Sequence, residues 1–93
     1  MINNVIKVFE TTGENAVTEN EGLGIFTLAD NRVAQLGSVF LDFDGVLIMT
    51  ASFTACSVGK LYAKYAGQNK VKIAGLTLYG SMLVNMVIAN QAD

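Results

Sequence analysis

Ninety-three residues suffice for one domain with a single core and little to spare. Hydrophobic residues make up 52% and charged residues 15%, which excludes a disordered chain and leaves apolar surface outside the core for a partner or a second copy. The net charge is −2, and the six basic residues are scattered from Lys7 to Lys72 with no basic run, so no nucleic-acid-binding face is expected.

The N-terminus has no basic stretch followed by an apolar one, so no secretory signal is expected. Residues 5–10 have apolar positions with strand character, and Thr12-Gly13-Glu14-Asn15 supplies turn chemistry. Ala16-Val17-Thr18 reads as a short return strand, making a hairpin. Residues 19–24 are polar and glycine-bearing, with acidic side chains suited to the approach to a helix N-terminus. Over residues 22–36, Ile25, Ala29, Val33 and Leu36 recur at helical spacing, with Thr27, Asp30, Asn31 and Gln35 on the other side and Gly37 as the stop. Residues 38–43 are strongly apolar and closed by Asp42, Asp44 and Gly45, the pattern of a buried central strand.

Residues 50–66 form the second predicted helix, with Thr50 or Ser52 placed to cap it and Gly67 to end it. At about 100° per residue, Thr54, Val58, Leu61, Tyr62 and Tyr65 share a core face, and Phe53, Ser57, Lys60 and Lys64 share the opposite one. An aromatic between a serine and two lysines makes the best candidate contact patch. The competing reading tucks Phe53 beneath the helix start and leaves the lysines solvated. Cys56 stands alone, which excludes an internal disulfide and suits a reducing, cytoplasmic compartment. A small hydrophobe, buried or half-buried, is its expected role rather than a reactive thiol.

Val71 and Ile73 alternate with Lys72 in a further strand over residues 70–75. Residues 77–90 form a third helix, nearly apolar all round, with only a narrow Thr77, Ser81, Asn85 stripe. Such a helix is packed on two sides or partly buried against another subunit, a candidate route to a homo-oligomer. The longest apolar region, residues 82–89, is interrupted by Asn85 and falls far short of the roughly 20 residues a membrane span needs. The order is β(β)αβαβα, a single α/β domain over residues 1–93, bordering on α+β. The expectation is a small mixed sheet of about four strands with three helices.

Asp42-Phe43-Asp44-Gly45-Val46-Leu47 resembles the nucleophile loop of haloacid-dehalogenase-type phosphatases, which implies a Mg²⁺-dependent hydrolase using Asp42 as nucleophile and Asp44 as general acid. Residues two apart at a strand end point the same way, so both carboxylates can converge on one metal. After Asp44 the only acidic residue is Asp93, and histidine is absent, which leaves the distal metal carboxylates without a candidate and removes zinc sites and His-based triads. The aspartates otherwise read as turn formers, with Gly45 supplying a positive φ.

A second resemblance covers most of the chain. Val39-Phe40-Leu41-Asp42-Phe43-Asp44-Gly45-Val46 is followed by Leu47-Ile48-Met49 and then Thr50-Ala51-Ser52-Phe53, with Gly59-Lys60-Leu61 further on. The run resembles the switch region of STAS domains, the fold of anti-sigma-factor antagonists. It is closer still to STAS-like proteins of bacteria and phages, where Asp-Phe-x-Gly-Val precedes a Ser-Phe and a Gly-Lys-Leu. The resemblance implies a non-enzymatic docking module whose partner is of the ATP-binding, kinase-type anti-sigma class, with no cofactor, catalytic group or metal.

In regulatory members a serine at this helix start is phosphorylated. Ala51 takes that place here and Thr50 replaces the preceding aspartate, so Ser52 and Thr50 are the neighbours that can substitute, unless they only cap the helix. A helix N-terminus tolerates phosphate, and the added charge next to an apolar contact surface changes partner affinity. The expected surface is Thr50, Ala51, Ser52, Phe53, Ser57, Lys60 and Lys64, with Asp42, Asp44 and Gly45 as the switch loop. A small self-associating or phage-type inhibitor protein is the alternative from a different class, supported by the apolar third helix.

Overall fold

The computed structural model describes residues 3–91, the last of them by its backbone alone. In chain order, strand β1 (Val5–Lys7) runs into a single helical turn α1 (Phe9–Thr12), then strand β2 (Asn15–Ala16) and the long helix α2 (Glu19–Leu36). Strands β3 (Val39–Asp42) and β4 (Ile48–Met49) follow. The helix over residues 51–64 is interrupted: α-helical at Ala51–Thr54 and Lys60–Lys64, it is wound as a π-helix at Ala55–Gly59. Strand β5 (Val71–Ala74) and the C-terminal helix (Leu78–Gln91) complete the order. The molecule is thus mixed α/β, as the patterning predicts.

Two expectations about strand pairing are corrected. The strands form a three-stranded sheet in the order β1-β3-β5 and a separate two-stranded sheet of β2 and β4, and every pairing is parallel. Among the described residues the sheet is therefore not mixed, and β1 and β2 do not pair as a hairpin. Val8 makes the last bond along β3, its N–H donating to the Asp42 carbonyl at 2.9 Å. The chain then coils, laying the Phe9 ring about 3.0 Å from where a Cβ on Gly45 would stand. That coil carries β2 away from β1 and into register with β4, Ala16 opposite Met49. Parallel neighbours need long crossovers, which α2 and the interrupted helix supply.

Helix α2 begins three residues earlier than its apolar spacing suggests because Thr18-Glu19-Asn20-Glu21 is a capping box. Glu21 N–H donates to Thr18 Oγ1 at 3.1 Å, and Thr18 N–H donates to Glu21 Oε1 at 3.1 Å. Together these bonds satisfy two N–H groups that the helix start would otherwise leave free. One face of the main sheet, with Ile6, Val39, Leu41 and Val71, joins Ile25, Ala29, Val33, Val58, Leu61, Leu83 and Val84 in one core. On the other face Val5, Lys7, Lys72 and Ala74 are exposed and Phe40 is half-buried. The interrupted helix lies between α2 and the C-terminal helix and packs on both.

Candidate functional site

The candidate surface begins where β4 feeds the interrupted helix. Thr50 is the cap: its Oγ1 accepts from Phe53 N–H at 3.2 Å and its hydroxyl donates to the Val17 carbonyl at 2.8 Å. One side chain thus closes the helix start and ties it to the segment after β2. Ala51 and Ser52 follow on the first turn and both are exposed. Among the described residues Ser52 Oγ makes no hydrogen bond, whereas the Thr50 hydroxyl is engaged in both directions.

Two residues of the expected contact patch are not on the surface. Phe53 and Ser57 are fully buried, which corrects their placement opposite the core and bears out the reading that tucks Phe53 under the helix start. A single core stripe is the signature of a helix packed on one side. Here α2 flanks the helix on one side and the C-terminal helix on the other, so the buried arc widens to take in Phe53, Thr54, Ser57, Val58 and Leu61. The close approach of α2 occurs at Gly22, where a Cβ would stand 2.7 Å from the Phe53 carbonyl oxygen and 2.9 Å from Cys56 Cβ.

Within this crowded stretch the buried hydroxyls bond to the helix's own carbonyls. Thr54 Oγ1 donates to the Thr50 carbonyl at 2.8 Å, and Ser57 Oγ donates to the Phe53 carbonyl at 2.8 Å. A π turn weakens the regular ladder, and short hydroxyl side chains fill such gaps. Ser57 is therefore part of the helix's internal bonding and not of a contact surface.

The two lysines divide. Lys60 is exposed and takes part in no ion pair among the described residues. Lys64 Nζ pairs with Asp30 Oδ2 of α2 at 3.0 Å, and the Tyr65 hydroxyl donates to the other oxygen of the same carboxylate. The tyrosine and then the lysine hold Asp30 below the usual carboxylate range, and Asp30 in turn raises both of them. Lys64 Nζ and Lys70 Nζ lie 5.7 and 5.8 Å from the Tyr65 ring centre. The adjoining cleft, lined by Tyr62, Tyr65, Gly67, Asn69, Lys70 and Val71, measures about 110 Å³, below the range of metabolite pockets.

At the end of β3, Asp42 Oδ1 accepts the Asp44 N–H at 2.9 Å. Val46 N–H then donates to the Phe43 carbonyl at 3.0 Å, closing a turn through Gly45 at φ +90°, while Phe43 and Val46 are buried in the core. Gly75, at φ +80°, comes so close that a Cβ there would lie 2.6 Å from Asp44 N and 2.9 Å from Asp42 Oδ1. The Asp42 carboxylate is thus used as a turn acceptor against neighbouring backbone. Among the described residues no group of three potential metal ligands forms; Asp93 lies outside them.

What sequence reasoning missed is apolar and exposed. Leu47 and Ile48, 59% and 55% exposed, lie immediately before the helix mouth. Their backbone N–H groups both donate to the Glu14 carbonyl, at 2.9 and 3.0 Å, which holds the chain at the entry to β4 with both side chains on the surface. Leu47-Ile48-Met49 is apolar throughout, so no alternation in the sequence marks which of the three face outward. No helix of the described residues is long and apolar enough to cross a membrane. No family model, curated protein or solved structure matches the chain.

Proposed function

We propose that this chain is a non-enzymatic docking module of STAS-like type that acts in the cytoplasm and presents the mouth of the interrupted helix to a protein partner. The observation carrying the reading is the composition of that mouth. Ala51 and Ser52 lie open on the first helical turn, and exposed Leu47 and Ile48 precede them across buried Met49 and the cap Thr50. Two aliphatic anchors beside a small polar centre suit protein recognition better than chemistry. Lys60 extends the surface, and Leu47 and Ile48 take the apolar role that Phe53 had in the sequence pattern. By resemblance the partner is of the ATP-binding, kinase-type anti-sigma class.

Ser52 is the hydroxyl available to such a kinase, since Thr50 is bonded to both Phe53 N–H and the Val17 carbonyl. A phosphate there would face the free N–H groups of the first turn and bring about two negative charges to an apolar contact. The test is a binding titration with the partner recovered by co-purification, comparing wild type with Ile48→Asp and Ser52→Asp. Both variants should bind at least about tenfold more weakly while keeping wild-type circular dichroism. Undiminished affinity in both would remove this surface, and phosphate found on Thr50 alone would remove the switch assignment.

A further inference from the structure

The C-terminal helix is held to the body by one side only. Gly80, Leu83, Val84 and Val87 are buried, and they fall within one arc of the helix. The opposite arc carries Leu78, Tyr79, Met82 and Met86, which are 82%, 59%, 54% and 58% exposed, together with exposed Ala89. Tyr79, Met82, Met86 and Ala89 are spaced three, four and three residues apart. This is the alternation by which one helix seats its knobs in the holes of another. Exposed Asn85 and Asn90 border the stripe, giving an apolar centre with a neutral polar rim.

We propose that this stripe is where a second copy of the chain docks, forming a two-fold dimer through paired C-terminal helices. Charge selects the occupant. A two-fold interface sets the same patch of both copies face to face, so a net charge on that patch meets the same charge across the axis. From Ile73 to Ala92 the sequence has no charged residue, so this helix presents an exposed apolar stripe that can face a copy of itself at no electrostatic cost. The open face of the main sheet lacks that property, because Lys7 and Lys72 flank it. The same absence of lysine and arginine makes the stripe a poor match for an anionic membrane surface.

Area agrees with the charge argument. At roughly 150–200 Å² for a full-size apolar side chain, the four exposed residues present about 400–500 Å². Two copies face to face then remove about 800–1,000 Å² before the asparagine rim is counted, in the range of reversible association. The inference is independent of the proposed docking at the helix mouth, since Leu47, Ile48, Ala51, Ser52 and Lys60 all lie outside the C-terminal helix.

Sedimentation velocity across the micromolar range tests it, using wild type, Met82→Glu, Met86→Glu and, as control, Lys72→Glu. Wild type and Lys72→Glu should sediment at twice the 9.9 kDa chain mass. Each methionine variant places like charges across the two-fold axis and should raise the dissociation constant on the order of 100-fold, with far-UV circular dichroism unchanged. A wild type that stays monomeric at the highest concentration overturns the proposal and leaves the stripe to a different protein. So does a dimer that survives both methionine changes, or one that is lost in Lys72→Glu. Folded variants of Ile48 and Ser52 should dimerise normally, which keeps this result separable from the docking test.

Discussion

Gly22 and Phe53 meet backbone to side-chain position: a Cβ added to Gly22 would stand 2.7 Å from the Phe53 carbonyl oxygen. The contact fixes how closely α2 approaches the interrupted helix, and neither element can yield without disturbing the core around Ile25 and Val58. Gly22→Ala should therefore destabilise the fold by about 1–3 kcal/mol even though alanine favours helices. Urea denaturation measures it. A variant as stable as wild type would mean that the two helices can separate freely, contrary to the packing described.

Thr50 bridges two elements with one hydroxyl. Thr50→Ala should cost about 1–2 kcal/mol through loss of the cap and of the bond to Val17, whereas Thr50→Ser should recover most of it. Thermal unfolding of the pair distinguishes the hydroxyl's contribution from that of the methyl group.

The Asp30–Tyr65–Lys64 cluster sets a pH dependence with a definite sign. Asp30 is held below its unfolded value of about 3.9, with Tyr65 the first cause and Lys64 the second. Its contribution to stability is complete above that pH and is lost as acid carries it through its folded pKa. Glu21, lowered by the Thr18 and Val17 N–H groups, acts in the same direction. Tyr65→Phe should bring the Asp30 carboxyl back toward its ordinary range in an NMR titration and lessen the loss of stability on acidification below about pH 4. Identical titration curves in the two proteins would show that the hydroxyl does not reach the carboxylate in solution.

Asp42 is a turn acceptor in the structure, so Asp42→Asn, which keeps an oxygen at Oδ1, should unfold within about 1 kcal/mol of wild type. On the proposed docking role the protein should show no turnover of an aryl phosphate in Mg²⁺ with either residue at position 42. Turnover that disappears on Asp42→Asn would instead establish the phosphatase chemistry its six-residue motif resembles.

The elements that sequence patterning located best are those whose signal is local. Ile25, Ala29 and Val33 mark the buried face of α2, and Val39 and Leu41 mark the central strand, because periodicity reports on burial; Leu36, at the same spacing, is exposed at the helix end. Partnership was not legible in the same way. Whether Ala16 pairs with a neighbour or with distant Met49 depends on the α1 coil, which a four-residue stretch beginning with Phe9 does not announce. The placement of Phe53 and Ser57 failed for a related reason. A helical wheel assumes one packing direction, and the second direction comes from the C-terminal helix, some thirty residues on. The mouth of the helix was foreseen through Thr50, Ala51 and Ser52, while Leu47 and Ile48 went unnoticed because two residues are too few to establish alternation.

The π-wound stretch Ala55–Gly59 gives the chain an adjustable phase. An i→i+5 winding takes about one residue more per turn than an α-helix, so this stretch absorbs a residue that a regular helix would express as a rotation of about 100°. Taking one residue out of it should restore α winding and leave Lys64 on Asp30 and Leu61 in its buried seat. Taking Ala63 out of the regular turn beyond it should instead swing Lys64 off its partner. The coil is thus the one place along this rod where a change of length need not become a change of angle.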